Sequence, residues 1–311
     1  MTSRIDGIIP VMLTPFDEGG TIDWNSLENL IEWYIANGSS ALFAVCQSSE
    51  MQFLSLQERV DLARFTAKIA NGRVPVVASG HISEPIEEQI NELTKIADTG
   101  IDALVLVSNR LDPKNEGNKV FMQSFDTLLG QLPSEIPLGF YECPAPYRRL
   151  LSDEEFDACL NSQRFVVFKD VSCEMGALMK RVKKAEGSSL GVVNASAAIA
   201  WSAMAQGAPG FCGIANNYHP DLYRWLMDEG RNHPELAEEL AVFLSFGALT
   251  EAYGYPGFAK LYHQRLGTLK SIKCRVIDFD IRERFWALDA IIDRLIQGTE
   301  HFRSRIRALP V

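Results

Sequence analysis

The sequence lacks the features that would place it in a membrane or outside the cell. It contains no run of 18 apolar residues, so no membrane span is expected, and its first residues lack the apolar core of a secretion signal. The six cysteines form no C-x-x-C pair, and the five histidines show no H-x-x-x-H spacing. We therefore expect a cytoplasmic protein with reduced thiols, no metal site and no membrane partner.

Nucleic acid is also a poor candidate partner. The chain has 30 Lys and Arg residues against 40 Asp and Glu residues, and nothing concentrates the basic residues needed to displace counterions from phosphates. In other respects the composition is typical of a globular protein, with 47% hydrophobic and 23% charged residues over 311 positions. This excludes a disordered, collagenous or small disulfide-stabilised chain.

Short apolar runs alternate with helical stretches up to about residue 230. Continuous apolar runs, without interleaved polar residues, are typical of strands buried on both faces of a parallel sheet. Helix signals lie between them, such as the candidate N-cap Asp23 and the capping-box spacing of Ser55 with Glu58. We predict eight strands and eight helices in strict alternation. The strand runs are 8–13, 41–45, 74–78, 103–107, 136–141, 165–168, 190–193 and 210–214.

This alternation predicts an α/β fold, a (β/α)8 TIM barrel, because eight parallel strands with crossover helices close on themselves. A doubly wound open sheet is the alternative, and it usually carries a glycine-rich turn after its first strand. Here the first strand is followed by Leu13–Phe16, without a G-x-G-x-x-G motif.

Residues 231–311 break the alternation. The runs 236–249 and 281–295 have helical periodicity with no strand between them, and Gly254–Gly257 predicts a turn. We therefore divide the chain into a barrel over 1–230 and a C-terminal helical extension over 231–311 that packs on it.

Lys169 is the strongest candidate for a catalytic residue. It follows the apolar strand 165–168, and in a barrel the strand ends and the loops after them build the active site. Removing an ammonium from water disfavours its charged form, and a neutral amine can attack a carbonyl to give an imine. The alternative is a strand-end lysine that pairs with Asp170 or another acid.

Neighbouring strand ends supply further candidates. Tyr141 ends the fifth predicted strand, so its phenol could move a proton to and from an adduct on Lys169; a tyrosine that only packs is the alternative. Ser48 and Ser49 offer hydroxyl and N–H groups in a turn suited to a carboxylate, although an ordinary ST-turn has the same composition.

Other polar residues stand near the same end of the predicted barrel. Asn194 follows the seventh strand and Cys212 ends the eighth, so both are candidate substrate contacts. His81 follows the third strand and could contact substrate or be a solvated loop residue. Arg148 and Arg149 could grip a second carboxylate of a sugar acid or balance nearby acids.

Several short motifs occur in one order along the chain. They are Gly7–Val11 with Thr14–Phe16, Cys46–Glu50, Glu58 with Arg59, Tyr141–Pro144, Lys169 with Asp170, and Gly207–Gly210. In this order and spacing, over roughly residues 5–300, the chain resembles the family of N-acetylneuraminate lyase and dihydrodipicolinate synthase. The family's corresponding patterns include a G-[ST]-T-G-E turn, Y-N-x-P, K-[ED] and G-A-x-G.

The resemblance implies a Schiff base between Lys169 and a pyruvoyl unit, with Tyr141 as the proton shuttle. It also implies that the turn of Gln47, Ser48 and Ser49 holds the carboxylate of the keto acid. Many members are homotetramers that need neither a metal nor an organic cofactor, and the same is expected here.

Three positions depart from the synthase pattern. Gln47 replaces a hydroxyl residue of its proton relay, the loop 108–113 has no aromatic residue for the relay's second tyrosine, and Pro146 replaces an arginine that binds the aldehyde substrate. An aldolase or dehydratase for another 2-oxo acid, such as pyruvate or a 2-oxo-3-deoxy sugar acid, fits better. The alternatives are a synthase-type condensation, a non-catalytic 2-oxo acid binder, or an unrelated barrel enzyme with Asp170 and Glu142 as an acid–base pair.

Overall fold

The eight predicted strands form one parallel sheet in the computed structural model, which describes residues 4–310. They are β1 (Gly7–Ile8), β2 (Leu42–Phe43), β3 (Val76–Ala78), β4 (Ala103–Val107), β5 (Leu138–Tyr141), β6 (Phe165–Asp170), β7 (Gly191–Asn194) and β8 (Gly210–Phe211). Each strand pairs with its neighbour in the chain, and β1 pairs with β8. A parallel bridge between Val11 and Phe43 links β1 to β2 and closes the barrel. The predicted (β/α)8 fold is confirmed.

A helix follows each strand, as the alternation predicts. The first eight are α1 (Trp24–Ala36), α2 (Leu56–Ala70), α3 (Ile86–Ala97), α4 (Asn118–Gln131), α5 (Asp153–Ser162), α6 (Met175–Lys184), α7 (Ala200–Ala205) and α8 (Pro220–Glu229). The Asp23 side chain caps α1 by accepting from the Ser26 N–H at 3.1 Å, and the capping box of Ser55 with Glu58 opens α2. Local signals therefore set where these helices begin.

After α8, all secondary-structure elements in the described part of the chain are helices. They are α9 (Pro234–Ala248), α10 (Gly257–Arg265), α11 (Ile281–Arg284) and α12 (Leu288–Arg307). The helix predicted over 281–295 is wrong in one respect, because Phe285 adopts a non-helical conformation between α11 and α12. The break lets the Phe285 ring pack edge-on against Tyr253, with centroids 5.4 Å apart.

A buried ion pair joins the helical extension to the turn after β2. Lys260 of α10 and Glu50 are both fully buried, and the ammonium lies 2.6 Å from the carboxylate. The same carboxylate accepts hydrogen bonds from the backbone N–H groups of Arg275 and Val276, at 2.6 and 2.8 Å. The extension and the barrel also share one hydrophobic core, to which Phe258 of α10 belongs.

The contact between β1 and β8 depends on a glycine. A Cβ atom on Gly210 would lie 2.1 Å from the carbonyl oxygen of Gly7, far inside van der Waals contact. The two backbones approach this closely because Gly210 carries no side chain. The glycine pattern around residue 210 therefore serves backbone packing in the barrel wall.

Candidate active site

The carboxyl ends of the strands surround a cavity of about 830 Å³, a size typical of small-molecule sites. Loops after six of the strands contribute to its lining, and so does the C-terminal extension. Among the lining residues are Gln47, Ser48, Arg110, Tyr141, Arg148, Lys169, Glu251 and Tyr255. The fold thus brings Lys169, Tyr141 and the turn after β2 to one site, as the sequence predicts.

Lys169 lies inside the barrel beside aromatic rings. It pairs in register with Tyr141 across β5 and β6, and its Nζ lies 4.3 Å from the centroid of the Tyr141 ring and 5.9 Å from that of Phe43. Only 6% of Lys169 is exposed. Asp170, the structural partner considered from the sequence, pairs with Arg181 instead, so Lys169 is not a lysine that balances its neighbour.

The phenol of Tyr141 is a neutral proton donor beside this amine. Burial raises the pKa of the Tyr141 hydroxyl well above its usual value, so the group is protonated at neutral pH. Its ring packs edge-on against Phe43, with centroids 5.7 Å apart. The phenol oxygen lies 3.4 Å from Oε1 of Gln47, at the long end of hydrogen-bonding range. The hydroxyl is therefore only loosely held and is free to bond to a ligand.

The turn after β2 presents two of its three predicted residues to the cavity. Gln47 and Ser48 line it. The Ser49 hydroxyl instead lies 2.8 Å from the carbonyl oxygen of Ala44 and 3.0 Å from that of Met12. The side chain of Ser49 therefore holds the turn to the barrel wall, and a contact of this residue with substrate stays a prediction.

The carboxylates that follow Tyr141 and Lys169 in sequence face away from the cavity. Strand alternation turns Glu142 and Asp170 toward the surrounding helices, where Arg181 of α6 forms ion pairs with both. Glu142 also accepts from the Leu151 N–H at 2.7 Å. Both carboxylates are completely buried and neither lines the cavity, so they do not form the acid–base pair that the sequence left open.

Asn194 and Cys212 are not among the residues that line this cavity, and their contact with substrate stays a prediction. The Asn194 side chain closes its own loop, donating to the carbonyl of Ser196 at 2.7 Å and accepting from the Ser196 N–H at 2.9 Å. The Cys212 thiol is buried, and burial raises its pKa to about 12. Both residues shape the barrel wall behind the site.

The structure separates the two arginines whose roles the sequence left open. Arg149 is buried and pairs with Asp112 and Glu155, at 3.2 and 2.7 Å, so it is the one that balances acids. Arg148 lines the cavity and donates to the carbonyl oxygen of Val171 at 3.1 and 2.9 Å. Only Arg148 is placed to meet a ligand.

His81 is a structural residue. It is completely buried, its Nε2 accepts from the Val107 N–H at 2.7 Å, and its Nδ1 lies 3.0 Å from Oε1 of Gln89. Burial lowers its pKa to about 4, so the ring is neutral near pH 7. Its imidazole bridges β4 and α3 and does not reach the cavity.

Arg110 and Tyr255 line the cavity, although the sequence patterns do not identify either residue. Arg110 lies in the loop after β4, and its half-buried side chain lines the cavity. Tyr255 lies in the turn predicted over Gly254–Gly257, and its phenol oxygen accepts from Nδ2 of Asn217 at 3.0 Å. The turn could be predicted from composition, but no spacing in the sequence shows that it reaches the site.

The described residues 4–310 include no group of three or more His, Cys, Asp or Glu side chains placed to hold a metal ion. Over the same range no helix is long and apolar enough to cross a membrane. The six cysteines form no disulfide within the described residues.

The fold and the site together define a (β/α)8 barrel with a lysine and a tyrosine paired at the carboxyl end of its strands. Residues 4–254 match the Dihydrodipicolinate synthetase family, and the chain belongs to this family. It is a divergent member, which fits the departures at Gln47 and Pro146.

Individual relatives are similar at moderate identity. The chain is 30% identical to 4-hydroxy-tetrahydrodipicolinate synthase of Bacillus subtilis over 171 residues, which cover 54% of this chain and 57% of that protein. It is 26% identical to the protein of the same name from Shewanella piezotolerans over 254 residues, 79% of this chain and 83% of that one. The chain spans 57% of the length of the Bacillus subtilis protein and 60% of the length of the Bacillus velezensis protein of the same name.

Solved structures share the fold. Dihydrodipicolinate synthase from Bacteroides thetaiotaomicron superposes with a TM-score of 0.80 at 25% identity, covering 96% of this chain and all of that one. CdNal from Clostridium difficile, solved in complex with mannosamine, gives a TM-score of 0.81 at 17% identity over 94% of this chain and 99% of that one.

Proposed function

We propose that the protein is a class I lyase, an aldolase or dehydratase, that binds a 2-oxo acid as an imine on Lys169. The observation that carries the proposal is a buried amine without a neighbouring counter-ion, 4.3 Å from the centroid of a phenol ring that belongs to a proton donor. Family membership supports it, because the lysine and the tyrosine occupy the positions of the family's Schiff-base lysine and its proton shuttle.

The chemistry uses Lys169 and Tyr141 in turn. The neutral amine adds to C2 of the 2-oxo acid, and the carbinolamine loses its hydroxyl as water by taking the phenol proton. The protonated imine then accepts the electron pair of a C3–H or C3–C4 bond, giving an enamine. The phenolate left on Tyr141 takes up the proton released in that step, which restores the phenol.

Reduction with borohydride tests the imine directly. Incubation with pyruvate and sodium borohydride should attach pyruvate covalently to the peptide that contains Lys169, detected by mass spectrometry. Lys169→Ala should lose the adduct, while Lys184→Ala, which removes a lysine from a surface pair with Asp157, should keep it. An unlabelled wild type, or a label that survives Lys169→Ala, would overturn the proposal.

A non-catalytic 2-oxo acid binder is the second candidate, and Gln47 favours it. A carboxamide can hold the Tyr141 phenol but cannot pass on a proton, whereas the hydroxyl it replaces can. Exchange of the pyruvate methyl hydrogens in deuterium oxide separates the two functions, since exchange requires enamine formation. A lyase should exchange them with turnover, and a binder that only forms the imine should not.

The part of the substrate beyond the 2-oxo acid is expected to meet Arg110, Arg148 and Glu251, which line the cavity. A screen of 2-oxo-3-deoxy sugar acids for pyruvate release or loss of water would identify it. The alternative is a dihydrodipicolinate synthase-type condensation, as the names of the relatives suggest. Pro146, at the position of the synthase's substrate-binding arginine, argues against that reaction.

We also propose a homotetramer, which the family resemblance implies. An apolar surface on and after α9 supports self-association, since Val242, Phe246 and Leu249 are 57%, 67% and 61% exposed. Analytical ultracentrifugation of the wild type should give a tetramer, and Phe246→Glu should shift the distribution toward smaller species. A wild-type monomer at micromolar concentration would contradict the proposal.

A further inference from the structure

Arg110 presents an unpaired cation to the cavity. Its half-buried side chain lines the cavity, yet among residues 4–310 its guanidinium forms no ion pair and donates no hydrogen bond; the residue is bonded through its backbone carbonyl instead. Arg149, in the next loop, is by contrast neutralised by Asp112 and Glu155. A guanidinium carries five N–H donors, so Arg110 can offer all of them to a ligand.

The backbone that carries Arg110 is held by His81 and Gln89. Burial lowers the pKa of His81 to about 4, so its ring is neutral near pH 7. Nε2 of His81 accepts from the Val107 N–H at 2.7 Å, so Nδ1 carries the hydrogen and donates to Oε1 of Gln89 at 3.0 Å. Nε2 of Gln89 then places its two hydrogens on the carbonyl oxygens of Glu84 and Arg110, at 3.0 and 2.9 Å. The network is fully satisfied in this one orientation.

The rest of the loop after β4 is fixed to the loop after β5. The Ser108 hydroxyl donates to the carbonyl oxygen of Arg149 at 2.6 Å. Nδ2 of Asn109 lies 2.8 and 2.7 Å from the carbonyl oxygens of Cys143 and Tyr147. A loop whose backbone is ordered before a ligand arrives loses little conformational freedom on binding. Arg110 is therefore a cation on a rigid base.

Strand register places this cation away from the lysine. Val107 pairs with Tyr141, and Tyr141 pairs with Lys169, so β4 ends two strand spacings, about 10 Å, from the lysine strand. Arg110 follows Val107 after one short helical turn. A ligand joined to Lys169 through C2 would therefore meet Arg110 with the end of its carbon chain.

The charges around the cavity favour a ligand with two negative groups. Glu50 is neutralised by Lys260, and the remaining charged side chains of the lining are Arg110, Arg148, Lys169 and Glu251. In a protonated imine the keto carboxylate balances the charge on Lys169, and Glu251 balances one arginine. One positive charge is left, in a protein whose net charge is −10. Such a local excess attracts a second anion.

We propose that Arg110 is a specificity-determining residue that binds a second carboxylate, at the far end of the 2-oxo acid, and that His81 and Gln89 position it. The substrate class is thus a 2-oxo dicarboxylic acid. The inference rests on the proposed function, because the imine on Lys169 places the ligand. A planar guanidinium matches the two oxygens of a carboxylate. Arg148 is less suited, since its Nε and Nη2 already donate to backbone carbonyl oxygens.

Borohydride labelling of Lys169 in the full-length protein measures this preference. 2-Oxoadipate and 2-oxohexanoate have equally long chains that end in a carboxylate and a methyl group. Half-maximal labelling of the wild type should need about 10- to 100-fold less 2-oxoadipate, the effect of a charged hydrogen bond. 2-Oxoglutarate and 2-oxopentanoate form a shorter pair, and a preference in either pair supports the inference. A wild type that pyruvate labels but that shows no preference in either pair would overturn it.

Arg110→Gln should abolish the preference and leave half-saturation by pyruvate and 2-oxohexanoate within about twofold of the wild type. Arg110→Lys should keep part of it, because it retains the charge but not the planar fork. Arg231→Gln is the control: it removes an arginine outside the cavity that also donates to backbone carbonyls and should change nothing.

Arg148→Gln separates a specific contact from a general field. It removes the same charge from the same cavity, so it should reduce the preference less than Arg110→Gln does. Equal losses in the two variants would overturn the role of Arg110, as would a preference that survives Arg110→Gln.

Gln89→Met tests the positioning role. It keeps the length of the side chain but removes its donors, so it should weaken the preference while labelling by 2-oxohexanoate stays near the wild-type value. Gln89→Glu, which keeps the acceptor for His81, should act in the same way. Adding either change to Arg110→Gln should have no further effect on the preference.

Thermal unfolding midpoints distinguish positioning from stability. A lower midpoint with an unchanged preference in both Gln89 variants would overturn the positioning role. A wild type that takes no label even from pyruvate would instead overturn the proposed function and this inference together.

Discussion

Lys169 and Tyr141 are register partners on neighbouring strands, and the lysine Nζ lies 4.3 Å from the centroid of the phenol ring. Parallel pairing fixes this relationship through the backbone, so it does not depend on a mobile loop. The amine and the proton donor thus keep their spacing before any ligand binds, which is the pre-organisation that acid–base catalysis requires.

Tyr141→Phe removes the hydroxyl but keeps the ring, so it should distinguish a role in proton transfer from a role in packing. The ring can stay beside Lys169 and Phe43, so folding should be unaffected, whereas turnover and methyl exchange should fall about 10²- to 10⁴-fold. Tyr147→Phe is the control, because its hydroxyl bonds to the carbonyl of Asp112 and does not line the cavity. Full activity in Tyr141→Phe would assign proton transfer to another group.

Arg181→Ala should lower the free energy of unfolding strongly. The change leaves the carboxylates of Glu142 and Asp170 buried without their counter-ion, which costs about 3 to 5 kcal/mol. Arg64→Ala breaks an exposed pair with Asp61 and should change the free energy of unfolding by less than about 0.5 kcal/mol. Urea unfolding of the two variants measures both values, and similar losses would contradict the assigned role of Arg181.

Acid should destabilise the protein through three buried histidines. Burial lowers the pKa of His81 and His263 to about 4 and that of His219 to about 3, against an ordinary value of about 6.5. Between these values and pH 6.5 the unfolded chain binds more protons than the folded one, so stability falls as the pH falls. The slope near pH 5 should reach about 4 kcal/mol per pH unit from the three together.

His263→Gln checks one member of this set. A glutamine amide can replace the Nε2 contact to the carbonyl of Asn217, which is 2.8 Å long, without a titrating ring. Denaturant unfolding between pH 4.5 and 6.5 should then show a slope lower by about 1.4 kcal/mol per pH unit. An unchanged slope would mean that His263 is already protonated in the folded state.

Gly210→Ala should destabilise the junction of β1 and β8. The added Cβ would meet the Gly7 carbonyl oxygen at 2.1 Å, so backbone must move, at a cost of about 3 kcal/mol or more. Gly130→Ala is the control: it lies in α4 with open space around the new Cβ and should stabilise by about 0.5 to 1 kcal/mol. Unfolding midpoints that move in the same direction would contradict this account.

The sequence predicts the fold and the central pair well because both depend on local patterns. Each apolar run defines a strand, and in a closed barrel the residue at a strand end, such as Lys169 or Tyr141, has little freedom in where it lies. The hydrogen-bond partners of the Ser49 and Asn194 side chains could not be predicted, because they depend on which backbone groups the turns bring within reach. Tyr255 could not be predicted as a cavity residue, because it lines the cavity with Ser48 only through packing between parts of the chain more than 200 residues apart.

The ion pair of Glu50 with Lys260 joins the last quarter of the chain to the turn after β2, which lines the cavity. Cutting the protein after the eighth helix would leave the buried Glu50 carboxylate without its counter-ion, two residues from Ser48, which lines the cavity. A shortened version should therefore lose stability, and the wall of the cavity that includes Glu50 should change shape.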